Sequence, residues 1–133
     1  RRWKKFSENN ATMEEYKTIA TTFLKEVAFG NIDLAFKKYV AEDFIHHNQY
    51  FEGTRDALMQ AMKEDHKINP NLDFEIKKVY ADGNTVITHS LVSKQTMQIA
   101  VVHISRFENN RIVELWDLGQ IIEKDSPNKY GLF

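Results

Sequence analysis

After Asn71 the apolar residues stop recurring every three to four positions and begin to alternate, and this change of period limits the fold more than any other feature. Before it, residues 13–29 carry Tyr16, Ile19, Ala20, Phe23, Leu24 and Val27 on one stripe, which predicts an amphipathic helix. Thr12 with Glu15 has the spacing of a capping box, and Gly30-Asn31 supplies a stop. A second helix is predicted in "IDLAFKKYV", with Ile32, Ala35, Phe36, Tyr39 and Val40 on one side. The stretch "AEDFIHHNQYFEGT" breaks the period and reads as a loop. A third helix is predicted from Arg55 to Lys67, with Leu58, Ala61 and Met62 inward and Pro70 beyond its end.

Beyond the switch, "LDFEIKKVYA" and "NTVITHSLV" flank Asp82-Gly83, a type I′ hairpin signal. "QIAVVHISRFE" and "RIVELWDLGQII" flank Asn109-Asn110, both tolerant of left-handed backbone. Three helices followed by four strands in two hairpins define an α+β domain, with the helices packed on one face of an antiparallel sheet. A chain of 133 residues supports one such core. It is divided into a basic tail over 1–12, where "RRWKK" stands out, and a domain over 13–133.

Charge narrows the partners. Lys plus Arg number 18 against 19 Asp plus Glu, without a long single-sign block, so nucleic acid is not an expected partner. No apolar run approaches membrane length, so no membrane partner is expected, and a cysteine-free chain leaves the cytoplasm as the default compartment.

Turn placement sets which side chains share a face. A two-residue Asp82-Gly83 turn pairs Val79 with Val86, Ile76 with His89 and Phe74 with Leu91, placing His89 on an apolar face. A two-residue Asn109-Asn110 turn pairs Ser105 with Glu114, His103 with Trp116 and Ile99 with Gln120. One face then carries His103, Glu114, Trp116 and Gln120 among large apolar groups, the composition of a ligand-pocket wall. Asp117 falls on the opposite face, with Val102, Ile104, Val113 and Leu115, and a bulge or a different loop length would bring it across. That second apolar face implies a packed partner such as another copy of the chain. Each residue also has a plainer reading: His89, His103 and Trp116 as core, Glu114 and Gln120 as rim groups, His46-His47 as solvated loop residues. A metal site from His47, His89, His103 and a carboxylate lacks HxH or HExxH spacing, so no metal is expected.

The order "YVAEDFIHHNQYFEGTRDAL", "VYADGNTVITHS", "AVVHISRFENNRIVELWDLGQ" and "PNKYGLF" resembles the SnoaL-like polyketide cyclases of the nuclear transport factor 2-like superfamily, in particular the SnoaL-like aldol-condensation subgroup. The resemblance implies a cone-shaped curved sheet wrapped on three helices, a homodimer through the outer sheet face, and acid–base chemistry on a carbonyl compound without cofactor. It implies His47-Asn48, His89, Trp116, Asp117 and Gln120 as site positions. Leu115 departs from the pattern where relatives have His, His103 where a carboxylate is common, and Asn84 where Asp is usual. The expected activity is a cofactor-independent cyclase, isomerase or lyase acting on a small, partly hydrophobic carbonyl compound. His89, His103, Asp117 and Glu114 are its candidate acid–base groups, and His47, Asn48, Trp116 and Gln120 its candidate ligand contacts. The alternatives are a non-catalytic small-molecule-binding module or a dimeric scaffold.

Overall fold

A computed structural model describes residues 2–133, and side chains from Glu8 onward. The elements run α1 (Arg2–Ala28), α2 (Ile32–Tyr39), β1 (Val40–His47), α3 (Arg55–Ile68), β2 (Asn71–Asp82), β3 (Thr85–Lys94), β4 (Gln98–Glu108) and β5 (Arg111–Ile121). They form one five-stranded sheet of order β1-β5-β4-β3-β2, antiparallel except where β1 runs parallel to β5. This is the α+β architecture of three helices and a curved sheet that the change of period predicts, with one strand more than expected.

The apolar stripe of α1 explains how the helices sit on the sheet. Tyr16, Ala20, Phe23 and Leu24 are buried among Phe36 of α2, Val86 of β3, Phe107 of β4 and Leu115 of β5. Tyr16 stacks on Phe107 with ring centroids 4.4 Å apart. Phe23 meets the edge of Phe36 at 5.3 Å. The turn from α1 to α2 requires Gly30, whose φ is +98° and whose missing Cβ would stand against the His66 ring. Thr54 caps α3, its hydroxyl accepting the Ala57 N–H at 3.2 Å.

Two local readings are corrected here. Residues 2–12 continue α1, and Thr12 lies mid-helix with its hydroxyl donating to Glu8 O at 2.9 Å instead of capping. Residues 8–12 are all exposed, so no apolar stripe announces this extension. The side chains of the basic cluster "RRWKK" lie outside the described residues. The second correction is β1: the segment read as a loop after α2 is a strand, with Val40, Phe44 and His46 buried and Ile45 and His47 facing out.

The turns also differ in their consequences. Asn109 and Asn110 both have positive φ, and Glu108 pairs with Arg111, as expected for a two-residue turn. Past Phe107–Ile112, however, Val113 is an extra residue, so Ser105 opposes Leu115 and His103 opposes Asp117. In the first hairpin Asp82 pairs with Thr85, making Gly83-Asn84 the turn, and Lys77 is a second extra residue between Ile76 and Lys78. Each bulge exchanges the faces of every residue beyond it.

Candidate active site

The inner face of the sheet is set by these registers. On β3 it holds Val86, Thr88, Ser90 and Val92, paired directly across the ladder with Ser105, His103, Val101 and Ile99 of β4, where Phe107 continues the same face. On β5 the bulge at Val113 brings Asp117 and Gly119 to that face. Towards the open end the helices no longer fill the space, and a cavity of about 770 Å³ remains. Leu24, Val27, Met62, Phe74, Val92 and Ile99 form its apolar walls, with His103, Asp117 and Asn48 among its polar lining. Its size and mixed lining are those of a small-molecule site. A shallower groove of about 1010 Å³ between the β3–β4 turn and residues 122–127 shares Lys94, Met97 and Ile121 with it.

Inside the cavity Asp117 joins two partners. His103 Nε2 lies 3.3 Å from its Oδ1, and Asn48 Nδ2 donates to its Oδ2 at 2.8 Å. Burial, the largest influence on this carboxyl, pushes its pKa up, but the His103 hydrogen bond and charge, with the Asn48 bond, hold it below the usual aspartate value on balance. His103 Nδ1 is buried without a hydrogen-bond partner, as are the hydroxyls of its inner-face neighbours Thr88 and Ser90.

Asn48 is itself fixed from behind. Its Oδ1 accepts the Tyr50 N–H at 3.0 Å, and its own N–H donates to His46 Nδ1 at 3.1 Å. His46 Nε2 in turn lies 2.6 Å from Glu52 O, so the ring carries its proton on Nε2 and both nitrogens are satisfied. His46 is 5 % exposed, not the solvated loop residue expected from sequence. Its role in orienting Asn48 was readable only from the adjacency of "HHN".

The remaining candidates lie elsewhere. The Val113 bulge that brings Asp117 inward turns Glu114, Trp116 and Gln120 to the outer face, correcting the expectation that they line the pocket. His47 borders the cavity, yet its ring stacks on Trp116 at 4.7 Å and its Nε2 lies 2.7 Å from Glu114 Oε2. Glu114 also accepts from Arg106 Nε at 2.9 Å. The His47 hydrogen bond outweighs the opposing effect of burial and, with Arg106 adding to it, holds Glu114 below the usual glutamate value. His89 is also an outer-face residue, because the Lys77 bulge moves Phe74 and Ile76 to the face opposite it. Its ring stacks on Phe133 at 4.7 Å, outside the cavity.

Among the described residues, no group of three His, Cys, Asp or Glu side chains could hold a metal ion. Nor is any helix among them long and apolar enough to cross a membrane.

A cone of curved sheet closed by three helices around a largely apolar cavity with a few polar groups on its wall defines a nuclear transport factor 2-like protein. Residues 18–123 match the model of the SnoaL-like polyketide cyclases, and the chain belongs to that family. No curated protein matches the sequence. Among solved structures, the chain is similar to an NTF-2 like protein of unknown function from Burkholderia xenovorans LB400, with a TM-score of 0.69 and 20% identity over 88% of this chain and 90% of that one. It is similar to an LEH-like epoxide hydrolase from M. tuberculosis, with a TM-score of 0.66 and 17% identity over 82% and 85%. It also resembles a candidate polyketide cyclase from Acidithiobacillus ferrooxidans, with a TM-score of 0.67 and 22% identity over 80% and 88%. At these identities the likeness is one of fold, which hosts unrelated chemistries. Family and fold together mark the chain as a small-molecule-binding or catalytic module.

Proposed function

We propose that the chain is a cofactor-independent acid–base enzyme of cyclase, isomerase or lyase type, acting on a small, partly hydrophobic carbonyl compound held in the cone. The observation that carries this reading is the Asp117–His103–Asn48 cluster on the wall of a largely apolar cavity. Asp117 is the base that takes the α-proton, and His103 donates from Nε2 to the carbonyl oxygen as negative charge develops there. Without ligand, the contacts from His103 and Asn48 keep the carboxylate ionised and weakly basic. The 3.3 Å His103 contact is longer than a strong charge-assisted bond, so a carbonyl oxygen competes for that N–H. Once it does, burial acts on Asp117 with less opposition and its basicity rises. Asn48, locked through Oδ1 and its backbone N–H, keeps the carboxylate pointed at the substrate.

The test is hydrogen–deuterium exchange at the acetyl group of para-acetylbiphenyl in D2O, followed by NMR. The native protein is expected to accelerate exchange above buffer. Asp117→Asn should slow it by about 10²–10⁴-fold, the usual contribution of a positioned base. Saturable binding of the ketone with no exchange above buffer refutes the catalytic reading. It would favour a binding module, the reading to which the depressed pKa of Asp117 lends weight.

We also propose that two copies pair through the outer sheet face. Val102 and Ile104 of β4 lie there beside Ile87 of β3 and Leu118 of β5, the latter two 37 % and 54 % exposed in the single chain.

A further inference from the structure

We propose that the mouth of this cavity is built to hold a hydroxyl group, so that the ligand is an elongated, largely apolar carbonyl compound with a hydroxyl at the end remote from its carbonyl. The inference rests on the carbonyl-compound reading above and adds to it the chemistry of the ligand's other end.

Two residues outside the Asp117 cluster carry it. Asn71 on β2 and Lys94 on β3 are paired directly across the ladder, and both line the cavity. Cross-strand partners have Cβ atoms about 5 Å apart, so one small group can touch both side chains. The Asn71 amide is oriented by its Nδ2, which donates to Ala28 O at 2.8 Å, leaving Oδ1 as the free atom. That oxygen is buried and has no hydrogen-bond partner. The Lys94 side chain is only 9 % exposed, and its ammonium donates to Asp65 Oδ2 at 2.8 Å and to Asn69 O at 2.6 Å. An ammonium has three N–H donors, so one remains.

The pair therefore offers one acceptor and one charged donor side by side. A hydroxyl answers both, donating to Asn71 Oδ1 and accepting from Lys94. A second carbonyl would satisfy Lys94 alone and leave the Asn71 oxygen unpaired. A carboxylate would meet both that oxygen and the Asp65 carboxylate, which already offsets the Lys94 charge.

Distance along the sheet makes the ligand long. His103 pairs with Thr88, six residues before Lys94 on β3, a separation of about 20 Å at roughly 3.3 Å per residue. Sheet curvature and inward-reaching side chains shorten the gap. The wall between the two polar ends is apolar, with Phe74, Val92, Ile99 and Val101.

The test is isothermal titration calorimetry with para-acetylbiphenyl and with the same ketone carrying a phenolic hydroxyl on the far ring. It is run on the native protein, Lys94→Met and Asn71→Leu. The native protein is expected to bind the hydroxylated ketone about tenfold more tightly, the discrimination of one charge-assisted hydrogen bond in a dry site. Either substitution should erase most of that preference and leave affinity for the plain ketone little changed. Asn71→Leu also removes the bond to Ala28 O, so Lys94→Met is judged separately, and the native ratio needs no variant. Equal affinity for both ketones in the native protein overturns the hydroxyl site and leaves the carbonyl reading standing. A preference that persists in both variants overturns the assignment to Asn71 and Lys94. Failure of both ketones to bind overturns the carbonyl reading, and this inference falls with it.

Discussion

Asp117→Asn is the substitution whose consequences the site geometry defines most fully. The carboxylate accepts from two donors, His103 Nε2 at 3.3 Å and Asn48 Nδ2 at 2.8 Å. An amide at the same position offers its oxygen to one of them and turns an NH₂ towards the other. Asn48 cannot adapt, because its own oxygen is already taken by the Tyr50 N–H. His103 must therefore carry its proton on Nδ1, the nitrogen that is buried without a partner. The opposing effect is the desolvation of the charge, which the substitution relieves. The depressed pKa of Asp117 shows that its partners outweigh that cost in the folded chain. The net loss is about one charge-assisted hydrogen bond, about 2 kcal/mol at neutral pH. With an unfolding entropy of about 0.28 kcal/mol per kelvin for a chain this long, Tm should fall by about 7 °C. Because the folded carboxyl ionises more readily than the unfolded one, its contribution is complete above the ordinary value of about 3.9 and is lost as pH falls below it. Calorimetric melts of native and Asp117→Asn protein should therefore differ at pH 7, and the difference should shrink steadily as pH falls below about 3.9. A variant as stable as the native protein at pH 7, or a gap of constant size down to pH 3, refutes the reasoning.

Three further outcomes follow from the fold. Gly30→Ala should cost about 1–3 kcal/mol in denaturant unfolding, since it forces a side chain into positive φ and against the His66 ring. Thr54→Ala should cost about 1 kcal/mol in the same assay by removing the cap on the Ala57 N–H. Ile104→Glu places a charge in the middle of the outer face and should shift sedimentation velocity from dimer to monomer while the cavity still binds para-acetylbiphenyl; an unchanged dimer would place the subunit contact elsewhere.

Local signals in the sequence suffice for α2, α3 and the four strands of the hairpins, because each rests on contacts a few residues away. The apolar stripe at Tyr16, Ala20, Phe23 and Leu24 is visible for the same reason. β1 is not, since its identity comes from pairing with β5 some seventy residues on, with His46 opposite Leu115 and His47 opposite Trp116. His103 falls on the cavity wall as the turn position implies. Asp117, Trp116, Glu114 and Gln120 change faces because Val113 is inserted, and a valine carries none of the glycine or asparagine marks by which a bulge is recognised. Lys77 does the same to His89. Alternation identifies the two faces of a strand, but which one meets the core is decided by packing that no short window contains.

The Val113 bulge makes the chemistry of this cone depend on counting. An indole and a carboxylate occupy consecutive codons, and one amino acid upstream decides which of them the cavity sees. A lineage that lost that residue while keeping its fold would exchange an acidic centre for an aromatic wall with every site codon intact. In such a scaffold a three-nucleotide deletion changes the cavity lining more than most substitutions, and alignments that slide a gap across this hairpin would misassign the residue that faces the cavity.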